Sequence, residues 1–309
     1  MNEKNIIFLI CNHRSGSTML QQILGAHSDI GLLASPWFLF SVSYGLRDLD
    51  SKNLGISAEY NADVANKNLH AFLGNFENGE DLYYEAAGKF ALHLYEQAIK
   101  HTGRDFFLDK NIRYHMIYHQ MARILPEAKY LLLVRNPAAQ FAGLMKWFGE
   151  DVSVLKGRRS DLFDAYENIK NLYVSEEFKG YRIRYEDFVA APSDGLKLLY
   201  EYLELPYQNT LFYGNAIKEK TDTEISGFGD VTSLRKNNEP NSDYISKWVG
   251  YLDTDKKKFF ARKWMDWAGP ELFTSMGYDY EKTYALIPTD FEHRAEYESA
   301  WKELIGDVK

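Results

Sequence analysis

The stretch from Ile6 to Leu24, "IIFLICNHRSGSTMLQQIL", passes directly from an apolar block through a loop of small polar residues into a helical pattern. A short, unbroken apolar run suits a strand buried on both faces, which is the environment of a parallel sheet. The helix that follows begins with N–H groups that have no intrahelical partner. Those N–H groups and the positive end of the helix dipole converge on the loop, which suits it to an anion such as phosphate or sulfate. Taken alone, the loop is also compatible with an ordinary strand-loop-helix turn capped by Ser and Thr.

The rest of the chain repeats the theme. Apolar runs at residues 6–11, 106–108, 130–134 and 181–185 read as buried strands. Helical patterns at 19–26, 86–101, 114–125, 138–147 and 162–177 lie between or after them. This alternation predicts an α/β fold with a P-loop-like central parallel sheet flanked by helices. One more helix follows Pro192 and stops at Pro206, since proline cannot continue a helix. Residues 37–105 are long for a crossover and rich in aromatics, so they are expected to be a helical insertion over the ligand edge of the sheet. Residues 227–240 read as a polar, Gly-rich loop, the pattern turns helical again from 245, and 281–309 form a helical tail. The expectation is a single domain spanning 1–309.

Charge and cysteine usage narrow the function classes. With 36 Lys and Arg against 44 Asp and Glu, the net charge is −8, which disfavours a surface tuned to nucleic acid or anionic membrane. The N-terminal apolar run lacks the length of a signal peptide, and no run approaches the roughly 18 apolar residues of a membrane span. Cys11 is the single cysteine, so no internal disulfide forms, in keeping with a reducing compartment. The expected location is cytoplasmic. No HExxH and no Cys/His ligand set occurs in the sequence, so no metal is expected.

The loop is not a Walker A motif. With Gly16 as its second glycine, that pattern would need Gly at position 11 and Lys at position 17; the chain has Cys11 and Ser17. Without the lysine that holds the β- and γ-phosphates, a Mg-dependent kinase is disfavoured. Arg14 brings its charge from before the glycine instead. Cationic side chains and N–H groups alone can neutralise a moving oxyanion.

Several ordered blocks together resemble the sulfotransferase family, which uses 3′-phosphoadenosine 5′-phosphosulfate (PAPS) as sulfonate donor. "RSGSTMLQQILGAHSDI" resembles its 5′-phosphosulfate loop and the following helix, and "LLLVRNPAAQFAGLMKW" its 3′-phosphate strand and helix. "RYEDFVAAPSDGLKLLYEYLELPY", "SKWVGYL" and the "DK" of "FLDKNIRYHMIYHQMARILPEAKY" resemble further family blocks, the last from its bacterial and Golgi-type branches.

The resemblance implies roles residue by residue. Ser15, Gly16, Ser17 and Thr18 would hold the 5′-phosphosulfate, with Arg14 stabilising charge on the transferring group. Arg135 would hold the 3′-phosphate, where a planar guanidinium gives bidentate contact. Lys110 would approach the leaving phosphate, Tyr185 would lie near the adenine, and Arg235 and Lys236 would belong to a lid over the nucleotide.

Two positions depart from the family pattern. Gly143 stands where relatives usually place a serine on the 3′-phosphate; one lost hydrogen bond to a charged group costs about 1.5–3 kcal/mol unless Lys146 or a backbone N–H compensates. Ser35, in "LLASPWF", stands where the closest-looking relatives carry the general-base Glu. Serine cannot take a proton at neutral pH, so His13 and His115 are the candidate substitutes. Trp37, Phe38, Phe40, Tyr44 and Trp147 are candidate acceptor-side residues, with core packing as the alternative. The implied function is transfer of a sulfonate from PAPS to a hydroxyl or amine of a small-molecule or carbohydrate acceptor. A catalytically impaired nucleotide- or anion-binding homologue and a small-molecule kinase remain as alternatives.

Overall fold

The computed structural model describes residues 2–44, 58–213 and 239–306. Five parallel strands form one sheet in the order β2-β3-β1-β4-β5. They are β1 (Ile6–Cys11), β2 (Ile30–Leu32), β3 (Phe106–Asn111), β4 (Lys129–Val134) and β5 (Tyr181–Arg184).

β1 lies at the centre and is fully buried along its length, which is why its sequence shows no polar alternation. Strand side chains point to opposite faces in turn. Ile6, Phe8 and Ile10 enter one core, and Ile7, Leu9 and Cys11 enter the other. On the first face the Phe8 ring stacks on Tyr130 at 5.3 Å and meets Tyr95 and Tyr114 edge-on at 5.9 and 5.8 Å.

On the second face, α1 (Ser17–Gly25) contributes Leu20, Ile23 and Leu24 beside Leu196, Leu199 and Leu203 of α11 (Pro192–Leu203). The long segment between β2 and β3 contains α2 (Phe38–Ser43), α3 (Ala58–Leu73) and α4 (Gly79–Thr102). Gly103, in the left-handed conformation at φ 63°, ends α4, as glycine commonly does after a helix.

The first face is completed by α5 (Tyr118–Ile124), α6 (Pro137–Phe148), α7 (Val152–Lys156), α8 (Arg159–Leu162) and α9 (Asp164–Val174). α10 (Tyr185–Ala190) leads into α11. Beyond residue 238 lie two 3₁₀ segments, α12 (Asp255–Thr274), α13 (Tyr280–Ala285) and α14 (Arg294–Ile305). α12 packs on α6, and α14 on α7 and α12.

Several elements differ from the sequence reading. β2 is a three-residue edge strand, too short to show a periodic pattern. β3 runs on through Asp109, Lys110 and Asn111, all buried, because the polar residues at its carboxyl end meet partners in the site. The helix expected at 114–125 divides at Ile117 (φ −130°) into a 3₁₀ turn and α5. The one expected at 162–177 is interrupted at Phe163 and ends at Val174. Tyr185, expected at the end of a strand, is the first residue of α10. α12 bends at Gly269, which takes φ 67° just before Pro270; proline lacks the N–H that an unbroken helix requires.

Candidate active site

The loop after β1 is shaped by two left-handed residues, Arg14 at φ 58° and Gly16 at φ 90°. Such a conformation costs a non-glycine residue roughly 1–2 kcal/mol, and surrounding contacts hold it in place. Gln140 Nε2 donates to the His13 carbonyl at 3.1 Å, and an Arg135 guanidinium nitrogen donates to the Arg14 carbonyl at 3.1 Å. Both carbonyls are thereby tied to β4 and α6. Gly16 is the N-cap of α1 and no side chain caps that helix, so its first-turn N–H groups are left for another acceptor. A Cβ on Gly16 would lie 2.5 Å from the Tyr185 ring; only glycine allows the ring so close to the loop.

Ser15 is fully buried. Its hydroxyl lies beside the Cys11 thiol. Burial pushes the Cys11 thiol above its ordinary value, so Cys11 is a packed strand residue.

Arg135 is fixed at the end of β4. Its guanidinium lies over the Tyr185 ring at 4.4 Å and donates to the Tyr244 carbonyl at 2.9 Å as well as to Arg14. Its Nε is buried without a hydrogen-bond partner among the described residues, an expensive arrangement that a bound anion would relieve. The next residue, Asn136, caps α6 by accepting from the N–H groups of Ala138 and Ala139. Glu186 of α10 accepts the Asn136 N–H at 3.0 Å and the Tyr278 hydroxyl at 2.8 Å. The carboxylate of the "YED" block therefore locks β4, α6 and the C-terminal region together.

At the end of β3, Lys110 is nearly buried, and burial lowers its pKa while Cys11 and Asp109 oppose the shift. Asp109, fully buried, accepts three hydrogen bonds: Ser35 Oγ donates to Oδ1 at 2.8 Å, and the Tyr95 and Tyr114 hydroxyls donate to Oδ2 at 2.7 and 2.6 Å. Burial raises the Asp109 pKa despite these donors and the nearby Lys110. Asn111 Nδ2 completes the set with a 3.2 Å bond to Ser35 Oγ.

The two candidate histidines fare differently. His13 faces the same cavity as the loop, with Nε2 3.6 Å from Asp161. Arg113 grips both oxygens of Asp161 at 2.9 and 3.0 Å. Burial raises the Asp161 pKa, but His13 and Arg113 outweigh it and leave the carboxyl below its ordinary value. His115 is buried and its pKa falls to about 4, chiefly through burial. It lies outside the cavity lining and is neutral at physiological pH.

A cavity of about 390 Å³ gathers His13, Arg14, Gly16, Ser17, Thr18, Ser35, Lys110, Arg135, Gly143 and Tyr185. Ser15 lies beneath it, and Arg235 and Lys236 fall outside the described residues. Gly143 faces the Arg14 side chain: a Cβ there would stand 3.1 Å from Arg14 Cβ and Cγ and 3.3 Å from Nε. Trp37 and Trp147 line the cavity. Phe38, by contrast, packs on Phe90 and Tyr95, and Phe40 stacks on Tyr114 and meets Tyr44.

The sequence reading missed Asn111, Tyr213, Glu239, Asn241, Tyr244 and Tyr251 in the lining. Asn111 and Tyr251 sat inside blocks already quoted without being singled out, and the last five arrive from distant segments. It also missed Asp109, although "DK" was in view. Among the described residues, no group of three or more His, Cys, Asp or Glu is placed to hold a metal ion, and no helix is long and apolar enough to cross a membrane.

Comparisons with known proteins bear on this arrangement. A model of the sulfotransferase family matches residues 6–209. The nodulation protein NoeE of Sinorhizobium fredii (strain NBRC 101917 / NGR234) is 24% identical over 300 residues, covering 91% of this chain and 67% of that protein. Protein-tyrosine sulfotransferase 1 of Danio rerio is 21% identical over 271 residues, covering 83% and 69% respectively. Among solved structures, a sulfotransferase domain from the curacin biosynthetic pathway aligns with a TM-score of 0.49 at 20% identity, over 79% of this chain and 89% of that one. The family match spans the strand-loop-helix, β3, β4 and the "YED" block, and on it the chain belongs to the sulfotransferase family.

Proposed function

We propose that the protein transfers a sulfonate group from PAPS to a hydroxyl or amine of a small-molecule or carbohydrate acceptor, acting in the cytoplasm as a single domain. The observation that carries this reading is the convergence of Arg14, Lys110 and Arg135 on the uncapped N-terminus of α1, within one cavity of a sulfotransferase-family chain. The Arg135 Nε, buried without a hydrogen-bond partner among the described residues, supplies a donor for an anionic ligand. The Gly16 N-terminus and the Ser15, Ser17 and Thr18 hydroxyls would take the 5′-phosphosulfate, Arg135 the 3′-phosphate, and the Tyr185 ring the adenine. Arg235 and Lys236 would cover the nucleotide.

In the transfer, the acceptor's heteroatom forms a bond to sulfur as the bond from sulfur to the bridging phosphate oxygen breaks. Arg14 and Lys110 stabilise the charge that grows on the sulfonate and leaving phosphate oxygens, worth the most where water is excluded. The Trp37 and Trp147 rings line the acceptor side of the cavity. The relative named for protein tyrosine supports a hydroxyl acceptor.

A ligand that binds only the folded state must raise its melting temperature. 3′-Phosphoadenosine 5′-phosphate (PAP) is expected to stabilise the protein, whereas AMP, ADP and ATP with Mg²⁺ do so weakly. Arg14→Ala and Arg135→Ala should each shrink the PAP shift. Equal stabilisation by Mg-ATP would favour the kinase reading, and PAP binding without turnover would favour a binding protein that has lost transfer, a reading prompted by Ser35.

A further inference from the structure

We infer that Ser35 is the proton acceptor for the incoming hydroxyl, and that it passes its own proton to the buried carboxylate of Asp109. This inference rests on the transfer reading above and supplies the base which that reading lacks.

The geometry is specific. Ser35 faces the cavity and Asp109 does not, yet Ser35 Oγ donates to Asp109 Oδ1 at 2.8 Å. With its proton committed to Asp109, Ser35 Oγ presents lone pairs elsewhere. A hydroxyl oxygen has two acceptor sites, and Asn111 Nδ2 uses one at 3.2 Å. Tyr114 also lies within hydrogen-bonding reach of Ser35, and the second site would be taken by an acceptor O–H in the cavity that Ser35 lines. A serine alone cannot serve as a base at neutral pH, but one joined to a carboxylate has somewhere to send a proton.

The step balances as follows. The acceptor oxygen's lone pair forms the new O–S bond, and the bridging S–O bond breaks with its electron pair leaving on the phosphate of PAP. The acceptor's proton moves to Ser35 Oγ while the Ser35 proton moves to Asp109 Oδ1. After product leaves, the proton returns by the same route and is released through the cavity to solvent.

Asp109 is suited to hold a proton briefly. Tyr95 from α4 and Tyr114 from the 3₁₀ turn fix its other oxygen, Phe8 of β1 lies opposite it in the sheet, and Lys110 is its charged neighbour on β3. Burial favours its neutral form, the state reached after transfer. Asp109 acts only through Ser35 and is therefore a positioning residue. The rival group is His13, which turns Nε2 toward Asp161.

The test uses PAPS as donor with two probe acceptors. Phenol needs a base, whereas 4-nitrophenol is largely ionised in mildly alkaline buffer, where both are assayed, and does not. Ser35→Ala and Asp109→Asn are expected to lower kcat with phenol by about 100-fold or more, the usual contribution of proton transfer, while rates with 4-nitrophenol change only a few-fold. Because Asp109→Asn removes a buried group and can impair folding, Tyr95→Phe provides a milder probe. It removes one hydrogen bond to the carboxylate, so the acid limb of the phenol pH profile should move to higher pH.

Equal losses with both phenols would overturn the relay, leaving Asp109 a structural anchor. So would a selective loss with phenol in His13→Gln but not in Asp109→Asn, or transfer by the wild type to neither phenol. PAP-induced stabilisation, measured on each variant, separates the two levels: no shift in the wild type removes the donor reading and the relay with it, whereas a normal shift with uniform losses removes the relay alone.

Discussion

Gly143 shows how a single position can read differently in a motif and in the fold. Read against relatives, it has lost a serine hydroxyl, and restoring one should tighten donor binding. The structure adds a steric cost on the other side. The Cβ of any larger residue would stand 3.1 Å from the Arg14 side chain, and Arg14 already holds a left-handed backbone. Overpacking of this kind forces neighbours off their preferred conformations. Gly143→Ser is therefore expected to reduce the PAP-induced rise in melting temperature, and Gly143→Ala should reduce it similarly because the crowding comes from Cβ. A larger shift in Gly143→Ser would show that the hydroxyl matters more than the room Arg14 occupies.

At the scale of elements, β1 and β3 set the precision of the site. β1 is buried on both faces and carries the loop at its carboxyl end, so disturbing its packing disturbs the loop. Phe8 has no exposure and touches the rings of Tyr95, Tyr114 and Tyr130. Two of those rings also hold Asp109. Phe8→Ala should cost about 3–5 kcal/mol by leaving a cavity, measured as a lowered denaturation midpoint in urea. An effect below about 1 kcal/mol would mean the ring cluster collapses to fill the space.

The β1 loop was legible because a strand-loop-helix junction is local: apolar run, small residues and helical period occur within one stretch of chain. The carboxyl end of β3 was harder. Asp109 and Lys110 break the apolar run, and a pattern reading stopped the strand at Leu108. Only the contacts with Ser35, Tyr95 and Tyr114, from outside the strand, account for the carboxylate of Asp109 inside it.

For the molecule as a whole, stability should depend on acid through His115. Its ordinary pKa of 6.5 falls to about 4 in the folded protein, chiefly because burial opposes the charged form. Between those values the unfolded chain binds a proton that the folded chain refuses. The stabilisation is thus complete above about pH 6.5 and is lost as pH falls through 4, by on the order of 3 kcal/mol. His115→Gln should flatten that part of the profile, whatever it does to stability at neutral pH. An unchanged slope between pH 6.5 and 4, followed by urea denaturation, would assign the acid sensitivity to other groups.

The sequence by itself determined the α/β class, the strand-loop-helix junction at residues 6–24 and the arginine at the end of β4. Each follows from local periodicity or a contiguous motif. Only the tertiary structure decided that Gly143 makes room for Arg14, that Glu186 ties the start of α6 to the C-terminal region, that His115 is buried away from the cavity, and that Ser35 meets a carboxylate. The physical reason is that the pairwise relations join residues 50 to 129 positions apart, in positions set by strand order and helix packing, and a buried polar group takes its partners from whatever the fold brings within hydrogen-bonding distance.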